Sequence, residues 1–308
     1  MTKTKPRSVV SILDLSTEEI NELMNVADDI DKNPEKYQEK CKHKILSTIF
    51  FEPSTRTRLS FEAAMLSLGG SVISTADSKS SSAAKGESVA DTVQVISNYA
   101  DIIAMRHPKE GAPVVAAMKT SVPVINAGDG GHFHPTQTLA DLLTIRRTKG
   151  TLSGLTIGLC GDLMFGRTVH SLIEAMLRYP DNRYILIAPN ELRLPEYICD
   201  KLDKSDTEWE ETTSLEYAIP KLDILYMTRV QKERFFNEED YVRLKDTYIL
   251  DEEKLSAAKK DLAILHPLPR VNEISVTVDN DPRAKYFYQT LCGKQMRMAL
   301  IMFLLEIK

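Results

Sequence analysis

Short apolar runs alternate with amphipathic stretches along most of the chain, and this alternation restricts the fold more than any other feature. Such an order is typical of β-α units, in which crossover helices join parallel strands. The predicted strands are Leu46–Phe51, Ser71–Ser74, Ile102–Met105, Val122–Asn126, Thr156–Cys160, Tyr184–Ala188, Ile224–Met227 and Ala263–Leu265.

Capping residues indicate where several helices begin and end. Ser16 can cap a helix over Thr17–Asp31, and Pro135–Thr148 has proline in its first turn and Gly150 as a stop. The other predicted helices are Thr55–Leu68, Glu87–Tyr99, Arg167–Arg178, Leu194–Leu202 and Lys294–Ile307. We therefore predict an α/β protein with two α/β domains, each with a mostly parallel sheet flanked by helices.

The domain boundary is expected near Lys149 and Gly150. A chain of 308 residues is long enough for two domains of ordinary size. We predict one domain over 1–149 and a second over 150–292. The segment 293–308 is so apolar that we expect it to be buried as a helix against the first domain.

Composition excludes several classes of protein. The net charge of −5 argues against non-specific nucleic-acid binding, and no segment approaches the ~20 apolar residues that span a bilayer. The first residues lack the apolar region of a signal peptide, so we expect a cytoplasmic protein without nucleic-acid or membrane partners. The four cysteines form no C-x-x-C pair and are expected to be free thiols.

Polar clusters follow the predicted strands, at the edge where parallel sheets bind their ligands. Ser54-Thr55-Arg56-Thr57-Arg58 follows one strand and opens a helix, where backbone N–H groups, the helix dipole and arginine suit a phosphate. Arg106, Arg167 and Arg229 follow other strands. We predict one composite site for anionic ligands.

The segment His132-Phe133-His134 has two interpretations. An H-x-H pair could begin a metal site, but no second ligand motif accompanies it. At the start of a helix, the dipole would instead keep His134 neutral, and its N–H could polarise a carbonyl. We favour this second interpretation and predict no metal. The glycines of Gly158–Gly166 do not have dinucleotide-loop spacing, so we predict no cofactor.

Several segments together resemble the aspartate/ornithine carbamoyltransferase family, and they follow the family's order. They are Phe51-Glu52-Pro53-Ser54-Thr55-Arg56-Thr57-Arg58-Leu59-Ser60-Phe61-Glu62, Lys85-Gly86-Glu87-Ser88, Met105-Arg106-His107, His134-Pro135-Thr136-Gln137, Gly161-Asp162, Gly166-Arg167-Thr168 and His266-Pro267-Leu268-Pro269-Arg270. The last of these and Thr228-Arg229-Val230-Gln231 are similar to the aspartate branch.

The resemblance implies a reaction in pyrimidine biosynthesis. The carbamoyl group of carbamoyl phosphate would pass to the α-amino group of L-aspartate, giving N-carbamoyl-L-aspartate and phosphate. The domain over 1–149 would bind carbamoyl phosphate, and the domain over 150–292 would bind aspartate.

The resemblance also implies roles for single residues. Carbamoyl phosphate would be bound by Ser54, Thr55, Arg56, Thr57, Arg106, His134, Gln137, Leu268 and Pro269, with Thr55, Arg56, Arg106 and His134 catalytic. Aspartate would be bound by Lys85, Arg167, Thr168, Arg229, Gln231 and Leu268. Ser81 and Lys85 would reach a neighbouring subunit's site, which makes a homotrimer with shared active sites the minimum working unit. Regulatory chains are left open as further partners.

Three alternatives remain: an ornithine-type carbamoyltransferase, a metal-dependent amidohydrolase built on His132 and His134, and a non-catalytic relative. Arg167 and Arg229 offer two bidentate partners for the two carboxylates of aspartate, whereas the cationic tail of ornithine would require an acidic pocket. Phe133 departs from the polar residue that many relatives have before this histidine.

Overall fold

The structure is a computed structural model that describes residues 6–75, 86–230, 239 and 247–308. The chain divides into two compact units. Unit 1 contains Met1–Ala140 and Leu291–Lys308, and unit 2 contains Asp141–Thr290. The division falls inside a helix, earlier than the predicted boundary after Lys149.

Unit 1 contains a parallel four-stranded sheet of order β2-β1-β3-β4. The strands are β1 (Ile45–Phe50), β2 (Ser71–Thr75), β3 (Ile102–His107) and β4 (Val124–Asp129). The helices are α1 (Thr17–Lys32), α2 (Thr55–Ser67), α3 (Val89–Ile96), α4 (Ala112–Lys119), the first part of α5 (Pro135–Lys149) and the second part of the C-terminal helix (Tyr286–Leu304). Buried Ile49, Ile103 and Val124 pack with residues of α3 and α4 in its core.

Unit 2 contains a parallel five-stranded sheet of order β7-β6-β5-β8-β9. The strands are β5 (Thr156–Cys160), β6 (Arg183–Ile187), β7 (Trp209–Thr212), β8 (Ile224–Met227) and β9 (Ala263–Leu265). The helices named here are α6 (Arg167–Met176), α7 (Glu196–Lys204), α8 (Leu215–Ala218) and α9 (Glu252–Leu255), so the C-terminal helix is α10. The predicted fold of two parallel-sheet α/β units is confirmed.

The structure differs from the predicted elements where local signals are weak. Strand β7 is absent from the predicted strands because its Trp-Glu-Glu-Thr residues are exposed or half-buried at a sheet edge and form no apolar run. Strand β4 continues past Asn126 to Asp129, and all its residues are buried. Helix α10 begins at Tyr286 instead of Lys294. None of the described helices has the length and apolar content needed to cross a bilayer.

Candidate functional site

The first site element is the start of α2. Helix α1 begins with a capping box between Ser16 and Glu19. At the start of α2, by contrast, the N-cap residue Ser54 makes no side-chain capping bond. No acidic residue lies in the first turn of α2, so no carboxylate of that turn offsets its positive dipole end. Thr55 and Arg56 are exposed there, so the helix start has the polarity and access that an anion requires.

Arg58 is half-buried, whereas Arg56 is exposed. Its Nε lies 3.7 Å from Glu62 Oε1 on the next turn of α2. Glu62 Oε1 also accepts hydrogen bonds from Thr48 and Ser74. We therefore assign Arg58 to the packing of α2 rather than to the phosphate site.

Arg106, the second site element, lies near the end of β3. Its Nη2 is 2.6 Å from Glu52 Oε1, and its Nη1 donates to the carbonyl of Ala127 over 3.3 Å. Burial lowers the pKa of the Arg106 guanidinium, and Glu52 opposes that shift. The strand thus holds a largely buried cation beside the segment that leads into α2.

His134 and Gln137 form the start of α5. The carbonyl of His134 accepts the backbone N–H groups of Gln137 and Thr138, at 2.9 and 3.2 Å, so His134 stands at the helix N-terminus as predicted. His134 is only 5% exposed, whereas Gln137 is half-buried. The buried imidazole therefore lies at the positive end of the α5 dipole.

Gly128 brings Arg106 and His134 together, and the sequence pattern gives it no role. Its φ of +117° is rarely adopted by residues with a side chain. A Cβ at Gly128 would lie 2.9 Å from Arg106 Nη1 and 3.3 Å from His134 Cδ2. The missing side chain therefore lets both functional groups approach the same stretch of backbone.

Asp129 organises the loop before His134, and it too is missing from the predicted site. Its carboxylate is 1% exposed and accepts N–H groups from Phe133 at 3.0 Å and Gly111 at 2.8 Å. The exposed His132 ring lies 3.2 Å from the same carboxylate and stacks on Phe133. Phe133 thus contributes to loop packing.

We expect Gly128→Ala to lower kcat by about 10-fold or more, because ångström misplacement of reacting groups is costly. The new methyl would collide with Arg106 and His134. The matched control is Gly154→Ala, which has a φ of +72° but no atom within 4 Å of the added Cβ. Both variants strain the backbone, so equal activity in the two would contradict the assigned role.

In unit 2, Arg167 and Thr168 open helix α6 directly after the loop that follows β5. Both are half-buried, and the N-cap residue Gly166 provides no side-chain capping bond. Burial raises the pKa of Tyr226 on β8, and hydrogen bonding to Thr168 opposes this larger effect. This helix start repeats the arrangement at α2, with an arginine at a helix N-terminus.

Arg229 follows strand β8 and is half-buried. Its charge is one of those that lower the pKa of His266, after the larger effect of burial. Arg229 therefore lies near the residues that follow β9. In each unit, three predicted clusters follow parallel strands of its own sheet and share one edge.

The segment after β9 contains Leu268 and Pro269, joined by a cis peptide bond. Leu268 is half-buried and has a φ of +55°, while Pro269 is exposed. Arg270 forms a bidentate ion pair with Asp279 and contacts the Tyr286 hydroxyl, so it supports this segment. Ser81, Lys85 and Gln231 lie outside the described residues.

The metal alternative has no further support in the described ranges. There, no group of three or more His, Cys, Asp or Glu side chains is arranged to hold a metal ion. His134 and His132 also face different surroundings, since His134 is buried and His132 is exposed.

Two family models match the chain. Residues 7–147 match the carbamoyl-P binding domain of aspartate/ornithine carbamoyltransferase, and residues 153–304 match its Asp/Orn binding domain. The chain is 62% identical to the aspartate carbamoyltransferase catalytic subunit of Lachnoclostridium phytofermentans, over 98% of each chain. It is also 62% identical to that of Clostridium acetobutylicum, over 98% of this chain and 99% of the relative.

Solved structures agree with the sequence relatives. The catalytic subunit of M. jannaschii aspartate transcarbamoylase superposes with a TM-score of 0.91 at 46% identity, covering 98% of both chains. The Trypanosoma cruzi enzyme in complex with carbamoyl phosphate and aspartate gives a TM-score of 0.90 at 36% identity, covering 96% of both. The chain therefore belongs to the aspartate/ornithine carbamoyltransferase family.

Proposed function

We propose that this chain transfers the carbamoyl group of carbamoyl phosphate to the α-amino group of L-aspartate, a reaction of pyrimidine biosynthesis. The observation that carries the proposal is the convergence of Arg106 and His134 on Gly128 in unit 1. This arrangement places the guanidinium of Arg106 beside the imidazole of His134. Relatives named aspartate carbamoyltransferase support the choice of reaction.

Unit 1 is proposed to bind carbamoyl phosphate. The phosphate would accept hydrogen bonds at the start of α2 from Ser54, Thr55, Arg56 and Thr57, and from Arg106. The carbamoyl oxygen would lie against Thr55, Arg106 and His134, and Gln137 would bind the carbamoyl amine. These contacts orient the carbamoyl carbon for attack.

The reaction then needs no carboxylate base from the enzyme. The amine of aspartate attacks the carbamoyl carbon, and the carbonyl π electrons move to oxygen to form a tetrahedral oxyanion. Thr55, Arg106 and His134 would stabilise that charge. The carbon–oxygen bond to phosphate breaks as the carbonyl re-forms. The departing phosphate takes up the amine proton, so atoms and charges balance.

Unit 2 is proposed to bind aspartate. Arg167 and Arg229 each offer a planar fork for one carboxylate, and Thr168 adds a hydroxyl. The backbone carbonyl of Leu268 would accept a hydrogen bond from the amine of aspartate. Pro269 would contact carbamoyl phosphate. Gln231 and Lys85 are proposed as further aspartate contacts.

We also propose a homotrimer in which Ser81 and Lys85 reach a neighbouring subunit's site. Large apolar side chains are exposed on unit 1 and support an interface there; they include Leu66, Tyr99 and Met118. Regulatory chains would be additional partners. The proposed location is the cytoplasm, where the substrates of this pathway would be available.

We expect His134→Ala to lower kcat by at least ~10-fold, because one donor to the oxyanion is lost. The KM for aspartate should change little, since His134 is not among the proposed aspartate contacts. The matched control is His132→Ala, which removes an exposed imidazole from the same loop. Steady-state kinetics of both variants measure the effect, and an unchanged kcat in His134→Ala would remove this residue from the mechanism.

The function is tested by measuring turnover of carbamoyl phosphate with aspartate and, separately, with ornithine. We expect carbamoyl aspartate and no citrulline, and we expect the rate to survive excess EDTA. Preference for ornithine would favour the ornithine branch. Loss of activity in EDTA, restored by a divalent metal, would favour the amidohydrolase alternative.

A further inference from the structure

A buried chain of hydrogen bonds in unit 2 involves residues that the proposed reaction does not use. The Tyr226 hydroxyl on β8 donates to Asp141 Oδ2 over 3.0 Å, and Gln289 Nε2 donates to Asp141 Oδ1. Gln289 Oε1 in turn accepts the backbone N–H of His266 at 3.0 Å. These side chains are at most 2% exposed, so their bonds are shielded from water.

His266 continues this chain into the segment that follows β9. Its Nδ1 accepts the backbone N–H of Leu268 at 2.8 Å, which fixes the ring proton on Nε2. That Nε2–H donates to Glu273 Oε1 over 2.7 Å. Glu273 is 4% exposed, and its Oε2 accepts the N–H groups of Val271 and Asn272.

These bonds hold a backbone conformation that Leu268 would not adopt readily by itself. Its φ of +55° is unfavourable for a residue with a Cβ. His266 fixes the chain at the N–H of Leu268, and Glu273 fixes it again just beyond Pro269. The backbone that carries the Leu268 carbonyl is therefore held on both sides.

We propose that His266 and Glu273 are positioning residues that aim the backbone carbonyl of Leu268 at the substrate. Asp141 and Gln289 extend this support to strand β8, which ends just before Thr228 and Arg229. The inference rests on the proposed function for the role of the carbonyl, but the geometry it describes can be measured without the reaction.

Two substitutions of His266 separate its two hydrogen bonds. In His266→Asn the side-chain oxygen can replace Nδ1 as acceptor for Leu268, whereas in His266→Gln the amide nitrogen can replace Nε2 as donor to Glu273. We expect kcat/KM for aspartate to be about 10-fold lower in His266→Gln than in His266→Asn, because small misplacements are costly. Equal values, or the reverse order, would overturn the proposal.

Amide hydrogen exchange over 267–273 measures how firmly this segment is held, in the full chain and without substrate. We expect the Leu268 amide to remain protected in the wild type and in His266→Asn, and to exchange faster in His266→Gln. Equal exchange in the two variants would contradict the proposal, even if the wild type failed to turn over aspartate. Failure of that turnover would instead contradict the proposed function.

Glu273→Gln provides a second route if the His266 variants fold poorly. The amide cannot accept from His266 and from both backbone N–H groups, so the segment loses part of its support. We expect lower kcat/KM for aspartate and faster exchange over 267–273. The control is Asn182→Ala, which removes buried bonds to Leu155 and Leu152 at the start of β5. It should lower the melting temperature without changing either readout; loss of stability alone in Glu273→Gln would overturn the proposal.

Discussion

Arg106→Gln is expected to lower kcat by about 10²–10³-fold, the usual effect of losing a donor to a developing oxyanion. Arg106 has two proposed roles, since it would bind the phosphate and the carbamoyl oxygen. Its side chain is 13% exposed and its Nη2 lies 2.6 Å from Glu52 Oε1, so the cation is already oriented before any substrate binds. Glutamine is too short and uncharged, and it would leave the Glu52 carboxylate facing a neutral group.

The expected loss of kcat in Arg106→Gln can be distinguished from a loss of stability. Arg58→Gln is the matched control, because it removes an arginine ion pair from the neighbouring helix α2 without touching the proposed chemistry. Arg106→Lys retains the charge but not the planar fork, and it should fall between glutamine and the wild type. Steady-state kinetics with a melting curve for each variant make the comparison. A folded Arg106→Gln protein with wild-type kcat would refute the proposed role.

Arg229→Gln is expected to raise the KM for aspartate roughly 30-fold or more, because removing one partner of a hydrogen-bonded charge pair is costly. Binding of carbamoyl phosphate should be nearly unchanged, since its proposed phosphate contacts lie in unit 1. Arg167→Gln should act in the same direction. Arg167 and Arg229 are thus expected to affect the binding of aspartate and not that of the phosphate group.

The control for this effect is Arg183→Gln, which removes an exposed arginine of unit 2 that pairs with Glu208. Its KM values should match those of the wild type. Kinetics with each substrate varied in turn, together with calorimetric binding of carbamoyl phosphate, measure the outcome. If Arg229→Gln weakened carbamoyl phosphate instead of aspartate, the assignment of the carboxylate site would be wrong.

Most of the fold follows from the sequence because the buried strands are continuous apolar runs. Strands β5 and β8 match their predicted bounds for this reason. Strand β7 escapes prediction because an edge strand does not need apolar side chains on both faces. The helices α8 and α9 are capped by Ser214 and Asp251, but at four residues each they are too short to show a helical period in the sequence.

The candidate site is predictable only in part. Arginine and hydroxyl residues after strands can be recognised locally, since parallel sheets place strand ends at one edge. The roles of Gly128 and Glu52 depend on contacts with Arg106, and no pattern in the sequence reports those contacts. Likewise, the sequence pattern does not show that Arg58 pairs with Glu62 on the next turn of α2.

The most direct test of the central claim follows the two atoms that the reaction joins. Carbamoyl phosphate labelled with ¹³C and aspartate labelled with ¹⁵N are incubated with the wild type and with Arg106→Gln, and the products are examined by NMR. The account predicts a carbamoyl aspartate product with a ¹³C–¹⁵N bond, formed rapidly by the wild type and far more slowly by the variant. Absence of that bond in the wild-type reaction, or equal rates in the two proteins, would contradict it.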